Sequence, residues 1–318
     1  METKKVLITG ASGFIGRNLL GEAIEQGWET HALLRRESKS WRTRDIEGKF
    51  FRHEADITDR AATEALLKDV APDYVFHLAA YGSYPFEKDE EKMVRTNILG
   101  GINIMNAAVA AGAKAALLAG SSSEYGAKDH PMREDEIIEP DSLYAVTKAA
   151  ETHYGAMLAK AKNAPIASMR IFSVYGPFEE KTRLIPAIML GVLGKGKLAF
   201  GNPASARDFV YVGDVVRAFI KAADALEKKK IPSGVFNVCS GTQRTAGEMV
   251  KAALEISASA ALPEWGALPA RGYDKTMWVG DGARAAASLG FRPEADIREG
   301  LSRTFVWFKE HASYYDAL

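Results

Sequence analysis

The chain has 318 residues, 47% of them hydrophobic, with 41 basic and 41 acidic side chains. That length buries an ample core in one large domain or two smaller ones, and a net charge of zero argues against nucleic acid or an anionic membrane surface as the main partner. The single cysteine, Cys239, excludes an internal disulfide and a cysteine-based zinc site, the six histidines show no metal-ligand spacing, and no apolar run approaches the ~20 residues that span a bilayer.

Lys4-Lys5-Val6-Leu7-Ile8 runs straight into a short strand and not into a signal peptide, so a soluble cytoplasmic protein is expected. The strand, over 6–9, ends in Gly10-Ala11-Ser12-Gly13-Phe14-Ile15-Gly16. Leu19, Leu20, Ala23 and Ile24 then recur at helical spacing. Strand, glycine turn and helix in this order make a dinucleotide cradle. Gly10 permits the tight turn, Gly13 lets the backbone approach a pyrophosphate, and Gly16 lets helix and strand pack closely. The helix start at Phe14 and Ile15 then faces the anion.

The next strand, over 29–34, ends in Arg35-Arg36. In dinucleotide folds the residue at this place contacts the adenosine ribose, and an acid there accepts from the 2′-hydroxyl. A guanidinium pairs instead with a 2′-phosphate in a forked geometry. The functional reading is selectivity for NADP, with NADPH as its reduced form. The alternative is a solvated basic loop.

A third strand over 49–52 precedes Asp56-Ile57-Thr58-Asp59. Asp59 caps a helix running to about Lys68. Asp56, with Ile57 beside it, is an adenine contact or a plain loop residue. A strand over 74–78 follows, and Leu78, Ala79 and Ala80 mark its carboxyl end, where small side chains let a ligand lie against the strand tip. The aromatics of the loop 81–88, Tyr81 first among them, are candidates for a sugar site. A long helix is predicted over 90–111. Asn97 in its middle either bonds backbone near the catalytic strand or sits on the helix surface. A strand over 114–120 ends in Ser121-Ser122-Ser123-Glu124-Tyr125-Gly126. A hydroxyl there bonds a substrate oxygen, or the serines cap a turn.

The helix over 143–161 carries Tyr144 and Lys148, four apart and on one face. A free tyrosine, with a pKa near ~10, is a poor base at neutral pH. A neighbouring ammonium stabilises the phenolate, and the pair can exchange a proton with a substrate hydroxyl or carbonyl. After a strand over 165–171 the regular alternation stops. Up to there it argues a doubly wound parallel sheet. A strand over 235–238 rejoins that sheet. The expected division is a cofactor domain, 1–172 plus about 208–240, interwoven with a substrate domain, about 173–207 plus 241–318.

Taken together, TGASGFIG at 9–16, DITD at 56–59, HLAA at 77–80, SSSEYG at 121–126, YAVTK at 144–148, RIFSVYGP at 170–177, RDFVYVGDV at 207–215 and LGFRP at 289–293 resemble an extended short-chain dehydrogenase/reductase. The resemblance is to the NAD(P)-dependent nucleotide-sugar epimerase/dehydratase type and runs nearly end to end. It implies an α/β Rossmann domain of about seven strands, a smaller substrate-binding C-terminal domain, and Tyr144 and Lys148 as the catalytic pair. It implies Ser121 as the third catalytic group, with Ser122 and Ser123 beside the substrate. Arg207 falls where the family binds the substrate diphosphate, and Arg271 near a second such position. A homodimer through a four-helix bundle of the helices near 90–111 and 142–161 is also implied, with Ala107, Ala108, Ala111, Ala149, Ala150 and Ala156 allowing close approach.

Two departures narrow the chemistry. Family dehydratases and decarboxylases follow the hydroxyl with acidic residues, whereas Ser122 and Ser123 stand there and Glu124 comes one position late. Water elimination and decarboxylation are disfavoured. Ser173 replaces the family's usual asparagine, which weakens the carry-over of a substrate contact there. The expectation is NADPH-dependent reduction at C4 of a nucleotide-linked 4-keto-6-deoxy sugar, since the segment 120–150 resembles such reductases. The alternatives are a 4-epimerase with tightly bound NAD(P) and a catalytically silent NADP-binding protein on the same fold.

Overall fold

The computed structural model describes residues 3–36, 38, 41–231, 233–268 and 277–316. In chain order its strands are β1 (Lys5–Thr9), β2 (Glu29–Leu34), β3 (Phe51–Glu54), β4 (Tyr74–His77), β5 (Ala115–Ser121), β6 (Ile166–Ile171), β7 (Ser173–Tyr175), β8 (Ala199–Phe200), β9 (Ala206–Tyr211), β10 (Gly234–Val238), β11 (Gln243–Thr245) and β12 (Glu264–Trp265). Its helices are α1 (Phe14–Glu25), α2 (Arg60–Val70), α3 (Glu90–Val94), α4 (Gly101–Ala110), α5 (Leu143–Lys162), α6 (Leu184–Val192), α7 (Val212–Glu227), α8 (Ala246–Ser257), α9 (Ala283–Leu289) and α10 (Ile297–His311).

Seven strands form one parallel sheet in the order β10-β6-β5-β4-β1-β2-β3, with Val6 paired to Thr30 on one side and to Tyr74 on the other. This is the doubly wound Rossmann arrangement expected from the sequence. Its central strands read as continuous apolar runs because both faces are covered; Val6, Leu7 and Ile8 are all fully buried. On one face Leu19 and Leu20 of α1, Phe219 of α7 and Leu289 of α9 share a core. On the other, Leu67 of α2, Ile104 of α4 and Leu158 of α5 pack together. A third core, with Ile188, Met249, Leu301 and Phe308, joins α6, α8 and α10. A small sheet, β11-β9-β7, gives Val210 of β9 to the first core and Tyr175 of β7 to the third. Helix α9 falls within the span expected for the substrate domain, yet its Ala285 and Leu289 belong to the core of the central sheet.

Three local features differ from expectation. Strand β3 begins at Phe51, because Gly48 at φ +81° and the bond from Lys49 N–H to the Ile46 carbonyl (3.1 Å) use the preceding residues in a turn. The long helix expected over 90–111 is interrupted by a π-helical turn, Arg95–Gly100. Such a turn inserts one residue into the helical repeat and re-aims the side chains it carries. Asn97, in this turn, is fully buried. Finally, Ala107, Ala108 and Ala149 are buried within the protomer and are not available for approach by a second copy. Ala156 is exposed, and the large exposed apolar residues of these helices are Val94, Leu99, Val146 and Met157, at 37–50% exposure.

Candidate active site

The glycine turn closes as its spacing requires. Gly10 sits at φ +68°, and a β-carbon there would meet Ala79 N and the Leu78 carbonyl carbon at 2.6 Å. Gly13 is the extended residue before α1, and no side chain caps the helix. The N–H groups of that first turn are therefore suited to an anion. These features fit a dinucleotide pyrophosphate. A cavity of about 550 Å³ is lined here by Gly10, Gly13, Phe14, Ile15, Gly16, Leu78 and Ala80, and farther along by Ser121, Ser122, Tyr144, Ser173 and Arg207. Strand tips of the central sheet thus bring the cradle and the tyrosine into one space. A larger cavity, about 810 Å³, lies beyond β9 and β11 and contains neither the cradle nor Tyr144.

Ser142 caps α5, accepting from Ala145 N at 3.3 Å, and so fixes the phase of Tyr144 and Lys148. Burial raises the pKa of Tyr144; Lys148 pulls it down and Glu151 pushes it up again. The simple pair predicts the opposite net direction. Lys148 does act as expected, but it is ion-paired to Glu151 three residues on, and both side chains are at most 3% exposed. Burial opposes the Lys148 charge, but Glu151 and Tyr144 outweigh it and hold the ammonium above its ordinary value. Asn97 fastens the site from behind. It accepts from Tyr81 N at 2.8 Å and donates to Tyr81 O and to Thr147 Oγ1, each at 2.9 Å. Of its two sequence readings, the backbone-bonding one holds.

The serines divide. Ser121 lines the cavity, and its Oγ lies 2.8 Å from Ser123 Oγ. Ser122 also lines the cavity and accepts from Trp278 Nε1 at 3.1 Å. Ser123 is absent from the cavity wall. Glu124 turns away from the cavity: its carboxylate accepts from Ser121 N (2.8 Å), Thr152 Oγ1 (3.1 Å) and Arg170 Nε (2.8 Å). It is fully buried as a capping group, so the acid that comes one position late in sequence does not reach the cavity.

Other sequence candidates fall as follows. Arg207 lies 5.5 Å from the Trp278 ring centre and donates to Ala206 O at 2.6 Å. Arg35 and Arg36 are exposed just past β2. Asp56 Oδ1 accepts from Thr58 N at 2.8 Å in the turn that leads to α2. Ile57 packs over Gly100 and its carbonyl accepts from Asn103 Nδ2 at 2.9 Å. The Tyr81 ring lies under Lys92 at 4.9 Å, and from the same loop Ser83 and Tyr84 line the cavity. Arg271 lies outside the described residues.

The cavity also holds groups that the sequence reading did not single out. Glu179 is 6% exposed, and its Oε2 has no hydrogen-bond partner. Burial pushes its carboxyl up to about 8, against the pull of Arg183. Arg183 donates to Ser83 O at 2.7 Å and stands over the Tyr84 ring at 5.0 Å. A charged loop with two glutamates carries no local pattern that marks one of them as buried.

Residues 6–239 match the NAD dependent epimerase/dehydratase family. A UDP-glucose 4-epimerase of Mycolicibacterium smegmatis is 30% identical over 318 residues, covering 96% of this chain and 98% of that protein. Among solved structures, UDP-glucose 4-epimerase of Thermotoga maritima with UDP-glucose superposes with a TM-score of 0.87 at 26% identity, covering 96% of this chain and 99% of that one. MoeE5 in complex with UDP-glucose and NAD superposes with a TM-score of 0.84 at 30% identity, covering 97% and 99%. With a glycine cradle, a tyrosine–lysine helix and this match across most of its length, the chain belongs to the NAD-dependent epimerase/dehydratase family.

Proposed function

We propose that this protein is a nucleotide-sugar 4-epimerase, interconverting hexoses linked to a nucleoside diphosphate that differ at C4. The observation that carries the reading is the meeting of the glycine cradle, Ser121 and Tyr144 in one cavity, with the Glu124 carboxylate that accepts from Ser121 N turned away from that cavity. Relatives named as 4-epimerases support it over the C4 reduction expected first from the sequence.

A bound nicotinamide supplies the reversible hydride acceptor for C4. Tyr144 takes the proton of the 4-hydroxyl as general base and later returns it to the same oxygen as general acid. Ser121 steadies that oxygen with a hydrogen bond as charge develops on it. Lys148 keeps a positive charge one helical turn from Tyr144. Arg207, at the far wall, holds the diphosphate by forked hydrogen bonds. Gly10, Gly13 and Gly16 hold the cofactor pyrophosphate, and the exposed Arg35 and Arg36 favour NADP. The protein works as a homodimer through α3–α4 and α5.

Tyr144→Phe tests the reading. It should bind cofactor almost normally and lose about 10²–10⁴-fold in rate. Ser121→Ala should lose less, and Ser122→Ala least, since Ser122 is already engaged by Trp278. A wild-type rate in Tyr144→Phe overturns it.

One observation favours a second reading. Arg35-Arg36 in place of the ribose-binding acid suits a reductase that consumes external NADPH and reduces a 4-keto sugar in a single direction. Cofactor carried through purification supports the epimerase; a site filled only by added NADPH supports the reductase.

A further inference from the structure

Behind Lys148 lies a buried polar chain that the reaction as described does not use. Lys148 Nζ pairs with Glu151 Oε2. The other carboxylate oxygen, Oε1, lies 3.2 Å from His77 Nε2. That contact is within ion-pair reach but poorly aligned, and neither atom has a hydrogen-bond partner. On its far side His77 Nδ1 is 2.6 Å from Thr9 Oγ1, and Thr9 Oγ1 accepts from Ala79 N at 3.2 Å. The carboxylate facing Nε2 can only accept, which places the ring N–H on Nε2 and leaves Nδ1 to accept the Thr9 hydroxyl proton. The chain runs from the catalytic helix α5, through β4, to the tips of β1 and β4 at the glycine cradle.

The fold makes room for this carboxylate. Gly101, the first residue after the π-helical turn, would bring a β-carbon within 3.0 Å of Glu151 Cγ and Oε1. Glu151 and His77 are 3% and 1% exposed. A carboxylate taken this far from water persists only when it is paired.

We infer that Glu151 is a positioning residue, which holds the Lys148 ammonium in a buried ion pair and sets the protonation range in which Tyr144 works as a base. The inference rests on the reading of Tyr144 as the base at C4. The charged groups facing Tyr144 are Lys148 and Glu151 from its own helix, Arg183 from the segment before α6, and Glu124 from the turn after β5. Arg183 acts with Lys148 to favour the phenolate; Glu151 and Glu124 act against it. Glu124 is itself engaged by Arg170 at 2.8 Å. Glu151 is therefore the carboxylate that offsets Lys148 most directly. Removing its charge leaves the ammonium unopposed and favours the phenolate.

The test uses the cofactor-loaded protein and two readouts. Tyr144 ionisation is followed as the part of the tyrosinate absorbance titration that disappears in Tyr144→Phe. The pH profile of kcat/KM is followed with a nucleotide-linked hexose. In Glu151→Gln the Tyr144 midpoint should fall by about one pH unit or more, the size of shift that a neighbouring charge produces. The acid limb of kcat/KM should move the same way. A merely structural role would lower activity without moving either. If Glu151→Gln does not fold, Glu151→Asp withdraws the charge by one methylene and should shift the midpoint in the same direction by less. An unmoved midpoint in a folded variant overturns the inference. A shifted midpoint in a protein that turns over no nucleotide-linked hexose supports the electrostatic role of Glu151 and overturns the C4 reading instead.

Discussion

A β-carbon on Gly16 would stand 2.2 Å from the carbonyl oxygen of Gly10. That is far inside van der Waals contact, and the atom it meets is backbone, which cannot rotate away. Gly16→Ala therefore pushes α1 off the turn. It should cost about 1–3 kcal/mol in stability, as overpacking does, and weaken cofactor binding at least tenfold. Gly13→Ala separates the two effects, since its β-carbon would lie 3.0 Å from the same oxygen. It should weaken the cofactor while lowering the melting temperature much less. Thermal melts and cofactor titrations of the two variants check this; equal losses in both would contradict it.

The basic pair past β2 predicts cofactor choice. Charge-assisted hydrogen bonds to a phosphate contribute about 1.5–3 kcal/mol each, so NADP should bind at least ~tenfold tighter than NAD. Arg35→Ala should remove most of that preference and leave NAD binding nearly unchanged. Equal affinity for the two cofactors in the wild type, or no loss in Arg35→Ala, would contradict the assignment.

Glu179 predicts a pH dependence of stability. Its ordinary carboxyl value is 4.5, and in the folded protein it is pushed up to about 8 by burial. Between those values the folded state holds a proton that the unfolded chain has released. Stability contributed by this group therefore falls as pH rises from about 4.5 to about 8 and stays low above. Glu179→Gln should flatten that slope and stabilise the ligand-free protein at pH 8 and above, by roughly 2 kcal/mol. Denaturant unfolding at several pH values measures it. An unchanged slope in the variant would contradict the burial argument.

The fold was readable because its signals are local and periodic. The apolar run before Gly10 and the recurrence of Leu19, Leu20 and Ala23 each name an element without help from the rest of the chain. Asp59 was legible as a cap for the same reason, and it caps α2. Strands β7 and β11 were not, since three residues are too few to carry a period. The π-helical turn at Asn97 keeps helical composition and changes only its hydrogen bonding, which no residue spacing reveals. The site was legible where one short motif carries it, as with Tyr144 and Lys148. It was illegible where the partners are distant in sequence. His77 and Glu151 meet across 74 positions, and nothing near either marks the other.

Assembly can be tested at the exposed apolar positions of α5. Val146 is 45% exposed and Met157 50% exposed. If α5 pairs with its symmetry mate, Val146→Glu and Met157→Glu each bury a charge at that interface and should give a monomer by light scattering at micromolar concentration. A wild-type protein already monomeric there would dispose of the dimer.

The central claim is that this cavity epimerises at C4, and the most direct measurement is interconversion without net redox. The purified protein is incubated with a nucleotide-linked hexose, UDP-glucose first in a panel, with cofactor at catalytic amounts only. The account predicts that the 4-epimer accumulates to a constant ratio reached from either side, with no lasting change in reduced cofactor, and that Tyr144→Phe slows the approach by about 10²–10⁴-fold. Stoichiometric consumption of NADPH with nucleotide-linked 4-keto sugars, and no 4-epimer formed from any hexose of the panel, would contradict it.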